Sequence, residues 1–190
     1  MTRNLGIFGG AFDPIHLGHI LPVNNLCKKY KFEKVFFVPS NISNSSKKII
    51  ASAEQRLKML EISLSDYPNF IVDDREIKRG GVSYSYDTIL EISQDYKDYQ
   101  IFFIIGQDLL KELNSWKSSK KIFELCSILV TNRSSKIIED EATYDSIFFE
   151  DTPKITASST IIRNRLMKNE DVSDLVNKNL ADWFKNNKVY

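Results

Sequence analysis

A doubly wound α/β fold, a parallel sheet with helices on both faces, is predicted by two features of this 190-residue sequence. Short, continuously apolar runs recur along its first two-thirds, and stretches with helical spacing lie between them. Strands covered on both faces lack polar alternation, so they read as such runs. Regular exchange of strand and helix then implies parallel pairing.

The runs occupy residues 5–8, 34–38, 70–72, 100–105 and 127–130. A first helix is expected near Leu17, with Ile20, Val23, Leu26 and Tyr30 as its apolar stripe. Leu57, Leu60 and Leu64 mark a second helix, and Ser52 with Gln55 reads as its capping box. Residues 41–48, rich in Asn, Ser and Lys, are the best candidate for a mobile loop, and Arg79-Gly80-Gly81 marks another turn. The last forty residues change character: a loop, a helix over 159–167, then an amphipathic helix near 175–184. With no repeat, long linker or low-complexity tract, residues 1–190 read as a single domain with a C-terminal helical segment.

Composition narrows the function. Lys and Arg number 26 against 25 Asp and Glu, so the basic excess of a dedicated nucleic-acid binder is absent and no nucleic-acid partner is expected. Apolar runs are too short to cross a bilayer, and the start of the sequence has no signal-peptide core. The expected setting is cytoplasmic, away from membranes. Cys27 and Cys126, each in an apolar helix-like context, are expected to be reduced thiols.

The most informative segment is GIFGGAFDPIHLGHI, residues 6–20. A strand ends at Gly9-Gly10, passes through Phe12-Asp13-Pro14 and enters a helix. Glycines there let the backbone approach a ligand, and a helix start offers amides and a positive dipole end to an anion. In a doubly wound sheet, ligands sit at that end of the strands. His16 and His19, the only two histidines, lie three apart, where both can face one ligand. Imidazoles beside a polyphosphate can neutralise its charge. Each is alternatively an ordinary capping or core histidine. A zinc site using Asp13, His16 and His19 is a weaker rival, because no fourth ligand is apparent nearby. The G-x-G-x-x-G and G-x-x-x-x-G-K-[ST] fingerprints are both missing, which excludes dehydrogenase-type and P-loop readings.

GGAFDPIHLGHI (residues 9–20) resembles the G-x-F-D-P-x-H-x-G-H signature of the HxGH nucleotidyltransferase superfamily. ASSTIIRNRL (157–166) is similar to its I-S-S-T-x-I-R motif. Within that superfamily ASAEQRLKML (51–60), RGGVSYSYDT (79–88) and FIIGQDLL (103–110), with Trp116 following, resemble the bacterial nicotinate mononucleotide adenylyltransferases. The similarity spans nearly the whole chain. It implies a Rossmann-like nucleotidyltransferase fold and attack by the phosphate of nicotinate mononucleotide on the α-phosphorus of ATP. Pyrophosphate leaves, and Mg²⁺ travels with the ATP. A phosphate nucleophile is already anionic, so the chemistry needs alignment and charge stabilisation rather than a base.

The resemblance also implies roles. Gly9, Gly10 and Phe12 would hold ATP through backbone contacts, while His16 and His19 would bind and polarise its phosphates. Ser159 and Thr160 would receive the β- and γ-phosphates, with Arg163 as fixed positive charge. Gly106 and Asp108 would take the adenosine ribose; Tyr84, Ser85 and Trp116 would enclose the pyridine ring. Blander alternatives stand beside these: a surface charge for Arg163, helix caps for Ser158–Thr160 and Asp108, a core position for Trp116. Three departures from the family pattern occur. Ser45 and Ser46 stand where a His and a Lys or Arg are usual; Ala157 replaces Ile, and Ser85 replaces Thr. Lys47 or Lys48 would reach the triphosphate instead, or remain a solvated loop charge. Other phosphorylated acceptors, such as nicotinamide mononucleotide or pantetheine phosphate, and a non-catalytic nucleotide binder are the alternatives in function.

Overall fold

The computed structural model describes residues 3–43, 48–132, 146–153 and 155–190. Among these residues six strands form one sheet: Arg3–Gly10 (β1), Phe32–Pro39 (β2), Phe70–Val72 (β3), Tyr99–Gly106 (β4), Ser127–Asn132 (β5) and Ile147–Asp151 (β6). Their order is β3-β2-β1-β4-β5-β6, and every pairing is parallel. The helices are Leu17–Tyr30 (α1), Ala53–Leu64 (α2), Arg75–Arg79 (α3), Ser85–Asp95 (α4), Ser119–Leu125 (α5), Ser159–Met167 (α6) and Lys178–Asn186 (α7). A 3₁₀ stretch, Gln107–Ser115, follows β4 directly. This is the doubly wound α/β fold with the strand order that reverses between β1 and β4.

Strand residues feed two apolar cores by simple alternation. Phe8, Phe37, Phe102, Ile104 and Leu129 face one side, where Ile20, Val23, Leu26, Leu60, Ile162 and Leu180 cover them. Ile7, Phe36, Phe103, Ile105 and Val130 face the other, beneath Ile89, Ile92 and Ile122. Because both faces are covered, the runs contain few polar residues to betray the alternation.

Helix α1 illustrates what holds these elements. It has no acidic residue in its first turn and contains Pro22, which cannot donate to the Gly18 carbonyl. An interior proline costs a helix roughly 3 kcal/mol. Ile20, Val23 and Leu26 are fully buried, each stabilising by roughly 1.5–3 kcal/mol. Packing therefore outweighs propensity. In α2 the expected capping box is present: Ser52 Oγ accepts the Gln55 amide at 3.1 Å, and Gln55 Oε1 accepts the Ser52 amide at 2.9 Å.

Two expectations need correction. The last helix begins at Lys178, not near residue 175, because the Asn177 side chain accepts the Asn179 amide at 2.7 Å and caps it there. Leu175 and Val176 instead enter the core as part of a turn, with the Leu175 amide on the Val172 carbonyl. Strand β6 was not foreseen. Its Glu150 is buried, and Lys29 Nζ and Tyr30 Oη, both from α1, each lie 2.5 Å from a Glu150 oxygen.

Candidate active site

β1 delivers the chain to the point where strand order reverses, and the turn after Gly10 is fastened from three directions. Arg56, buried on α2, donates from Nη1 to the Ala11 carbonyl at 3.0 Å and to the Ser40 carbonyl at 2.7 Å. Burial lowers its pKa, and the facing Asp13 opposes that. Asp13 Oδ2 accepts the Ile50 amide at 2.7 Å, and Oδ1 accepts the Ala51 amide at 3.0 Å and the Tyr190 hydroxyl at 2.8 Å. Phe12 sits at φ 48° with its ring in the core, against Phe8, Phe37 and His19. Only its backbone is left to face a ligand.

His16 is the N-cap residue of α1 and is buried; His19 follows one turn later and is half-buried. Their rings stack with centroids 3.7 Å apart, and His19 meets Phe12 edge-on at 5.3 Å. The His16 amide donates to His19 Nδ1 at 3.3 Å. That leaves the neutral His19 ring with its proton on Nε2. Between them, Gly18 leaves little room for a side chain: a Cβ there would lie 3.0 Å from His16 Nδ1, so the imidazole would have to give by a few tenths of an ångström.

The start of α1 offers fewer amides to an anion than the sequence suggests. Leu17 N–H is taken by the Leu175 carbonyl at 2.9 Å, and those of His19 and Ile20 by the His16 carbonyl. The second anion-ready element is α6, which docks on the same turn. Ser159 Oγ donates to the Pro14 carbonyl at 2.9 Å, and Arg163 Nη1 donates to the Asp13 carbonyl at 2.7 Å. Arg163 Nη2 reaches Thr160 Oγ1 at 3.3 Å. A guanidinium has five donors, so further N–H groups remain for a ligand. Ser158 caps the helix by accepting the Ile161 amide, so capping and a helix start turned to the turn coexist. Arg163 is therefore built into the site and is not a free surface charge.

Beside the turn lies a cavity of about 350 Å³. Gly9 and Gly10 form one wall; Tyr84, Ser85 and Tyr86 at the start of α4 form another, and Trp116 closes it. Trp116 also packs edge-on against Phe103 at 6.1 Å, so it is both wall and core. Glu76 and Lys117 line the cavity too. Burial raises the Glu76 pKa, which hydrogen bonds from Thr88 and Ser83 oppose. Lys117 Nζ lies 4.7 Å above the Tyr84 ring and 2.8 Å from Asp87. Gly106 ends β4 in the interior, and Asp108 is exposed in the first turn of the 3₁₀ stretch without capping it. Neither lines the cavity. A larger hollow of about 570 Å³ lies among the end of α6, α7 and Tyr190, but it carries none of the glycines or imidazoles.

Among the described residues no three His, Cys, Asp or Glu groups converge as a ligand set, and Asp13 already carries two amides and a hydroxyl. Lys47, Ser45 and Ser46 lie outside the described residues; Lys48 is exposed. Sequence reasoning gave no role to Gly18, Arg56, Glu76, Lys117 or Tyr190. Gly18 had a local signal as a glycine between two histidines, and Arg56 lay within the 51–60 motif. The others act on residues distant in the chain.

The family described as cytidylyltransferase-like matches residues 7–165. A Clostridium acetobutylicum protein named probable nicotinate-nucleotide adenylyltransferase is 40% identical, covering 99% of both chains. A Clostridium novyi protein of the same name is 37% identical over 92% of each. Among solved structures, Plasmodium falciparum nicotinic acid mononucleotide adenylyltransferase complexed with APC superposes with a TM-score of 0.79. That match covers 97% of this chain and 95% of the other at 20% identity, and supports the fold.

Proposed function

Because this chain belongs to the cytidylyltransferase-like family and, within it, to the nicotinate-nucleotide adenylyltransferases, we propose that it transfers the adenylyl group of ATP to nicotinate mononucleotide. The products are deamido-NAD and pyrophosphate. A phosphate oxygen of the mononucleotide forms a bond to the α-phosphorus, and the bond from that phosphorus to the β-phosphate oxygen breaks. No proton need be removed from the nucleophile, which suits a site without an evident general base.

The observation that carries this reading is the docking of α6 on the His16–His19 turn through Arg163 and Ser159. It brings two stacked imidazoles, a guanidinium and a helix start to one side of the sheet. Of the first amides of α6, that of Ile161 is taken by Ser158 Oγ; those of Ser159 and Thr160 have no acceptor in a preceding helical turn, so they suit the β- and γ-phosphates. His19 Nε2–H would donate to the oxygens flanking the bond that breaks, with His16 beside it. Stacked imidazoles repel if both are protonated; an adjacent polyanion offsets that. Gly9, Gly10 and the Phe12 backbone would border ATP, Gly106 and Asp108 its ribose, and Lys47 its triphosphate. Tyr84, Ser85 and Trp116 would enclose the pyridine ring in the 350 Å³ cavity. Mg²⁺ would arrive with ATP and neutralise phosphate charge rather than sit in an all-protein cage. Residues 1–190 would act as one domain. The free thiols of Cys27 and Cys126, and the lack of any helix long and apolar enough to cross a membrane among the described residues, support a cytoplasmic setting.

Incubation with ATP, Mg²⁺ and one acceptor at a time, read as pyrophosphate release, tests the proposal. Release with nicotinate mononucleotide is expected. Release only with another acceptor, such as pantetheine phosphate, would reassign the substrate. ATP binding with no release from any acceptor would identify a non-catalytic binder.

A further inference from the structure

Tyr190 stands far from the turn in sequence, yet its hydroxyl donates to Asp13 Oδ1 at 2.8 Å. The ring is half-buried, near Phe184 of α7, and the hydroxyl lies 4.0 Å from Met59 Sδ of α2. Burial first, and then the charge of Asp13, pushes this phenol above the usual tyrosine range, so it stays protonated and remains the donor. The same carboxylate carries the Ile50 and Ala51 amides, which end the segment leading into α2. One residue thus meets the carboxylate that orders both the histidine turn and the chain that follows Lys48.

We propose that Tyr190 is a positioning residue for the ATP side of the site, acting through Asp13. Resting on the adenylyl-transfer reading for its kinetic consequence, it adds a residue outside the motifs of the sequence. Asp13 is 4% exposed and carries three donors on two oxygens. With the hydroxyl removed, the backbone amides of Ile50 and Ala51 would be the remaining hydrogen-bond donors of the three, with Arg163 Nη1 as a looser ion-pair partner at 3.9 Å. The carboxylate could then follow that segment, and the turn would follow the carboxylate. Small displacements of a positioning group are amplified in phosphoryl transfer, where alignment supplies most of the catalysis. The acceptor cavity is walled by α4, the 3₁₀ stretch and Trp116, without Tyr190. Its affinity should not respond. That asymmetry separates positioning from a general loss of folded protein.

The test is Tyr190→Phe in the full chain, which keeps the ring and removes the hydroxyl. KM for ATP is expected to rise about five- to tenfold and kcat to fall about tenfold, with KM for nicotinate mononucleotide within twofold. Calorimetric titration with a non-hydrolysable ATP analogue should show the same weakening. In an Asp13→Asn background the change should add less than twofold, because the partner is already altered. Unchanged ATP affinity in Tyr190→Phe, with or without a lower kcat, would overturn the proposal. If the parent protein released no pyrophosphate with any acceptor, the function would be wrong, and the analogue titration would still decide the role of Tyr190.

Discussion

Replacing His19 by Ala is expected to lower kcat about 10²- to 10³-fold, the range found when one preorganised donor to a developing anion is lost. His19 Nδ1 accepts the His16 amide, so in the neutral ring Nε2 carries the donor proton. Its ring is held from two sides, by His16 at 3.7 Å and by Phe12 at 5.3 Å, so its direction is set before substrate arrives. The stability cost should be small. The ring is half-buried, and the lost capping interaction is worth about 1 kcal/mol. Thermal unfolding and far-ultraviolet circular dichroism should therefore show a folded protein with little turnover. Near-parental kcat in that folded variant would remove His19 from the chemistry.

Arg163→Ala is expected to be at least as severe, about 10²-fold or more in kcat/KM, since a fixed arginine beside a pyrophosphate that gains charge as it leaves stabilises the transition state strongly. Arg163 has a second task. Its Nη1 holds the Asp13 carbonyl and its Nη2 holds Thr160, so it fastens α6 to the histidine turn. Losing a donor to a partly buried carbonyl costs about 1–3 kcal/mol, so the variant should also unfold at a lower temperature. Arg163→Lys separates the two roles. Lysine keeps the charge but cannot grip Asp13 and Thr160 with one planar fork. Its turnover should fall between the parent and the alanine variant. A lysine variant equal to the alanine variant would show that fastening, and not charge, is what Arg163 contributes. An alanine variant within threefold of the parent would deny it either role.

The sheet was largely legible because its strands are buried on both faces, and unbroken apolar runs such as residues 100–105 leave few other readings. Local chemistry also showed through: Ser52 and Gln55 cap α2, and Ser158 begins α6 where expected. What stayed hidden depends on contacts between distant residues. β6 drew no strand reading, and its buried Glu150 is accommodated only by Lys29 and Tyr30 of α1, more than a hundred residues away. Asn177, not hydrophobic periodicity, decides where α7 starts. Similarly, spacing brings His16 and His19 to one face but says nothing of Leu175, whose carbonyl occupies the first amide of α1. Anion binding, as proposed, therefore leans more on α6 than the sequence of the turn implies. Arg56 lay inside the 51–60 motif without a stated role, and Tyr190 had no local signature, because the role of each is defined by an atom it touches across the fold.

A crystal structure with a non-hydrolysable ATP analogue and Mg²⁺ would examine the convergence of these elements most directly. The triphosphate is expected between the His16–His19 pair and the start of α6, within hydrogen-bond distance of His19 Nε2 and Arg163. A triphosphate seated instead in the 570 Å³ hollow beside α7, out of reach of both side chains, would contradict it.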